Sequence, residues 1–69
     1  MPLSMAKIGE KGRVKYVTGK DATRNFLESL GFVEGADATI VSENAGNMII
    51  NIKDSRIALN RSMAQRIIV

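Results

Sequence analysis

The 69-residue chain contains no cysteine, no histidine and no tryptophan. Without cysteine there are no disulfides, so packing, short loops or weak self-association must hold the fold. A core this small rarely supplies more than about 3–5 kcal/mol of net stability. A zinc or ferrous iron site would lack the imidazole and thiolate ligands that such borderline-soft ions favour. The same two absences remove the side chains that most readily exchange protons near neutral pH, which argues against an enzyme. Aromatics are few, with two Phe and one Tyr, too sparse for a run of base-stacking platforms. The longest apolar runs, Met48–Ile50 and Ile67–Val69, fall far short of the roughly 18 residues that cross a bilayer. Met-Pro-Leu-Ser-Met-Ala at the start lacks the basic and apolar blocks of an export signal. A cytoplasmic protein without membrane insertion is expected.

The charges are ordinary in number and scattered. Ten Lys and Arg against seven Asp and Glu give a net charge of +3, a value common on soluble surfaces. The densest basic run is Lys7, Lys11, Arg13, Lys15 and Lys20, spaced like the outer faces of strands. The carboxylates are dispersed, and none pairs with another at metal-ligand spacing. Gly19-Lys20 before a helix looks like a fragment of a phosphate loop. The preceding glycine, Gly12, is too distant, and Asp21 stands where Ser or Thr should hold magnesium. A loop glycine before an N-cap is the better account. No catalytic, cofactor-binding or metal-binding residue is assigned.

Residues 1–69 read as one domain. The stretch 21–35 organises it. Over about 21–30, Ala22, Phe26, Leu27 and Leu30 share one helical arc with Thr23 at its middle. Asp21 suits the N-cap and Gly31 the left-handed position after the helix, with Phe32 next as a hydrophobic contact. The rest reads as short strands. Residues 11–18 alternate as one strand. Ala36–Glu43 and Asn47–Lys53 form a hairpin about Asn44-Ala45-Gly46. Arg56–Asn60 directs Ile57 and Leu59 inward, residues 61–66 form a helical turn capped by Asn60, and Ile67–Val69 is a final strand. Five short strands without a parallel crossover predict a mainly β, small antiparallel barrel with one inserted helix.

An ordered set of residues then becomes informative. Leu3, Ala6, Gly9, Gly12, Val14, Val17 and Gly19 open it. Leu27-x-x-Leu30-Gly31-Phe32-x-x-Gly35 forms its middle, and Gly46, Ile50, Ile52, Ile57-Ala58-Leu59, Ala64, Ile67 and Val69 its end. Over nearly the whole chain this pattern resembles the FeoA family of small ferrous iron transport proteins. The resemblance implies an SH3-like barrel and a role beside FeoB, a membrane permease with a cytosolic G-protein region. It implies a non-enzymatic accessory that binds this permease and modulates ferrous iron uptake. Many relatives carry several Arg or Lys in the helix, whereas here the run is Arg24-Asn25-Phe26. Alternatives are an SH3-like module of an iron-responsive regulatory system and a small barrel binding nucleic acid non-specifically.

A barrel of this size leaves some apolar side chains exposed, and such groups rimmed by cations make protein contacts. Alternation leaves Tyr16, Val17, Leu27, Phe32, Val41 and Ile49 open between core and surface. Expected partner-binding residues are Lys20, Arg24, Tyr16, Leu27 and Phe32.

Overall fold

Helix α1 runs from Ala22 to Ser29 in the computed structural model, which describes residues 1–69. Asp21 is its N-cap, with the Asp21 carboxylate accepting the Arg24 backbone N–H at 3.2 Å. The far end closes as a Schellman motif. Gly31, at φ 112°, donates its N–H to the Glu28 carbonyl, and Phe32 donates to the Leu27 carbonyl. Leu27 and Phe32, the two side chains that accompany this motif, are both fully buried. Leu27 is α1's only fully buried side chain. Thr23 and Leu30 are half-buried on the same line, whereas Ala22 and Phe26 are exposed. The inward stripe is therefore narrower than the expected arc, because a helix this short meets the core along one ridge.

The expected strand 11–18 is two strands, β1 Lys11–Arg13 and β2 Tyr16–Val17, so there are six strands rather than five. β1 pairs antiparallel with β3, Asp37–Asn44. The chain then changes partners. The Val14 N–H bonds the Ala36 carbonyl at 2.8 Å, and the next N–H, from Lys15, bonds the Ile68 carbonyl at 2.7 Å. β2 thereafter pairs with β6, Ile67–Ile68. Val14 and Val17 are both buried although three residues apart, a spacing that period-two alternation cannot produce. The bend between sheets resets the phase.

The larger sheet has the order β1-β3-β4-β5, where β4 is Asn47–Ile52 and β5 is Ser55–Asn60. A bulge at Val41 separates the pairs Ile40↔Ile50 and Ser42↔Ile49, adding the local bend that helps a sheet curl. Met48, Ile50 and Ile52 face inward as expected, and Leu59 joins them from β5. Asn60 caps helix α2, Arg61–Ala64, its side chain accepting the Met63 N–H at 2.8 Å. A 3-10 turn at Leu3–Met5 plugs the open end with Leu3, which is fully buried. Met1 and Val69 exchange hydrogen bonds, tying the two termini together. One hydrophobic cluster of 13 buried residues draws on both helices, the 3-10 turn and every strand except β1, so both sheets share a single core.

Candidate functional site

Two features of the surface stand out, a clasp beside α1 and a groove beside β2. The clasp begins at Gly19, whose φ of 96° is a backbone conformation that favours glycine. A Cβ here would collide with the Arg66 guanidinium, which lies over the loop. Arg66 donates from Nη2 to Asp21 Oδ2 at 3.0 Å. Hydrogen bonding from Arg66 first, and from the Arg24 backbone N–H second, holds the Asp21 carboxyl below its ordinary value of 3.8. Arg24 Nη1 donates to the Gly19 carbonyl at 3.2 Å. Arg24 Nε lies 3.3 Å from Glu28 Oε1 in an ionic contact that lacks hydrogen-bond alignment. The clasp thus ties the loop before α1 to the turn before β6, with both guanidinium groups engaged.

The groove, about 570 Å³ in volume, is lined by Arg13, Val14, Lys15, Tyr16, Glu34 and Gly35. Val14 gives it a buried apolar floor, and backbone hydrogen bonds between Val14, Gly35 and Ala36 fix its shape. Tyr16 is 56% exposed and pairs across the small sheet with Ile68. Two cations, one carboxylate and an aromatic ring therefore share an open trough. A second cleft of about 300 Å³, lined by Lys11, Ala36, Asp37, Thr39, Asn51, Lys53 and Asp54, is polar and lacks an aromatic anchor. No three carboxylates gather into a group able to share a metal ion. No helix is long and apolar enough to cross a membrane.

Of the residues expected at a contact surface, Tyr16 and Lys20 are exposed. Leu27 and Phe32 are corrections: both are fully buried beneath the Schellman turn and present nothing to a partner. Arg24 is half-buried and bonded to the Gly19 carbonyl, so it serves the fold at least as much as the surface. Among the other ambiguous positions, Val17 is buried, while Val41 and Ile49 are half-buried. Phe26 was missed. It is 50% exposed on α1, which packs against β2, so both exposed aromatics lie on touching elements. Met5 and Ile8 are exposed as well, on the entry segment beyond Leu3.

Comparison with known proteins places these features in a family. The model of the FeoA domain matches residues 1–69. A Methanocaldococcus jannaschii protein named "Putative Fe(2+) transport protein A" is 34% identical over 68 residues, covering 99% of this chain and 83% of that protein. The crystal structure of Stenotrophomonas maltophilia FeoA complexed with zinc, described as a prokaryotic SH3 domain protein, superposes with a TM-score of 0.89. It is 27% identical over 99% of this chain and 87% of its own. A manganese-dependent transcriptional repressor shares the fold at a TM-score of 0.85 and 20% identity, covering 97% of this chain and 39% of the repressor. Matched along its full length and built on the same SH3-like barrel, the chain belongs to the FeoA family.

Proposed function

We propose that the protein is a non-enzymatic accessory of ferrous iron transport. In this reading it binds the cytosolic G-protein region of a FeoB-type membrane permease and modulates uptake. It would work in the cytoplasm, peripheral to the membrane through that partner. Family membership supports the transport context. The observation that carries the binding role is Tyr16, an exposed ring at one end of a basic trough. Tyrosine and arginine are the residue types that most often anchor protein interfaces. The bend before β2 is fixed by the Val14 and Lys15 hydrogen bonds and β2 pairs with β6, so the ring is presented on a fixed backbone and loses little freedom on binding. Lys15 and Lys20, both exposed, act at the rim, where charge mainly governs encounter rate and its salt dependence.

The test is association of the purified protein with the permease's soluble cytosolic region. Tyr16→Ala is expected to weaken binding by roughly tenfold or more, with the thermal unfolding curve unchanged. Lys15→Glu with Lys20→Glu is expected to slow association and flatten its salt dependence. Ferrous iron uptake in cells should fall with both. Full binding and uptake by folded Tyr16→Ala would refute the assignment of the trough.

A further inference from the structure

The larger sheet ends on two strands that are protected very unequally. β1 is short, only Lys11–Arg13, and carries a cation at each end, two devices that discourage strand addition. β5 spans six residues, Ser55–Asn60. Its only ladder partner is β4. No backbone hydrogen bond joins residues 55–59 to any loop or cap.

The register shows which groups are free. The turn between β4 and β5 has two residues, Lys53 and Asp54, and closes on the pair Ile52↔Ser55. In an antiparallel ladder hydrogen-bonded and non-bonded pairs alternate. Ile50↔Ile57 and Met48↔Leu59 are therefore bonded pairs, while Arg56 and Ala58 turn their N–H and C=O groups outward. Both residues are exposed. Ile57, between them, is half-buried on the inner face of the rim.

We infer that β5 pairs with β5 of a second copy of this chain, giving a weak two-fold dimer. The sequence Arg56-Ile57-Ala58 is self-complementary about Ile57. A two-fold axis there sets Arg56 against Ala58 twice. Each opposed pair exchanges two hydrogen bonds, so four form. The two Ile57 side chains meet on the inner face. No charge faces its like across the strands. An axis at Arg56 would instead oppose two guanidinium groups, and α2, starting at Arg61, limits any shift toward the strand's end. Two copies would form one eight-stranded sheet, isologous as closed dimers are. A single strand pair buries less than a standard interface, so the dissociation constant expected is weak, about 100 μM to 1 mM.

Sedimentation equilibrium of the full chain from about 10 μM to about 1 mM tests this. A monomer–dimer equilibrium is expected. Ala58→Glu places a carboxylate opposite Arg56 of the other copy and should tighten association by about 2- to 30-fold, the worth of two opposed charge pairs. Ala58→Lys should weaken it by a similar factor. Ala58 is exposed, so melting curves should confirm that both variants fold. A monomer throughout this range, or equal association by the Glu and Lys variants, overturns the inference. So does a dimer abolished by Tyr16→Ala, which would place self-association in the trough instead.

Discussion

Truncating Leu27 to alanine should come close to unfolding the protein. Leu27 has no exposed surface and is α1's only fully buried side chain. The change removes three buried carbon groups, which forfeits about 2.4 kcal/mol at roughly 0.8 kcal/mol per group. The cavity left behind raises the cost into the range of about 2–5 kcal/mol. It also deletes the apolar partner of Phe32, and with it the contact that seals the helix end. Small domains hold about 0.05–0.15 kcal/mol per residue, or about 3–10 kcal/mol for 69 residues, so one side chain decides a large share. Circular dichroism melts should show a fall of about 10 °C or more, since each kcal/mol moves the midpoint of so small a domain by about 4–8 °C. Leu30→Ala, at a half-buried site, should cost about half as much or less. Phe26→Ala should stay within about 0.5 kcal/mol, as exposed positions do. The ranking is the sharper check. If Phe26→Ala proves as damaging as Leu27→Ala, the helix is seated on a different face from the one described.

Two further outcomes follow from local geometry. The turn between β3 and β4 has Ala45 at φ 52° followed by Gly46 at φ 84°, a two-residue turn that Asn-Gly suits better than Ala-Gly. Ala45→Asn should raise stability by up to about 1 kcal/mol, seen as a higher melting midpoint, and an unchanged or lower midpoint would count against the turn. The Asp21 carboxyl is held below 3.8 in the folded protein, so the unfolded chain binds its proton more readily. The stabilisation is therefore complete above the unfolded value and fades as pH falls through the folded one. Asp21→Asn should flatten the loss of melting temperature below about pH 4, and an acid limb as steep as wild type would argue against the Arg66 contact.

Most of the fold was legible because its signals are local. The Asp21 cap, the Gly31 terminus and the Asn44–Asn47 hairpin each depend on a few adjacent residues, and each forms where those residues predict. The Met48, Ile50, Ile52 alternation holds because β4 lies in the middle of the sheet, paired on both sides. What failed is non-local. Lys11 to Thr18 alternates convincingly, yet its residues serve two sheets. The cue lay in the i, i+3 spacing of Val14 and Val17, but one strand explains two valines as readily as a bend does. The barrel's closure on β6 makes the bend necessary, and that contact joins residues some fifty positions apart.

The contact surface was harder to read for a related reason. Leu27, Phe32, Phe26 and Tyr16 carry comparable apolar weight in the sequence, and only tertiary packing sorts them. The Schellman turn folds Phe32 back beneath Leu27 and consumes both. A helix of eight residues then touches the core along one ridge, which leaves Phe26 outside. Tyr16 is pushed out by its neighbours, since Val14 and Val17 take the two inward places on either side of the bend. Arg24 followed the opposite course. It was expected to bind a partner, but the left-handed Gly19 turns a carbonyl toward it, and the guanidinium bonds the loop. The residues left for a partner are those the clasp and the core do not use. Tyr16 with Lys15 and Arg13 meets that condition in the trough, and Lys20 is exposed in the loop before α1, which is why the binding test rests on Tyr16 and the two lysines rather than on the helix arginine.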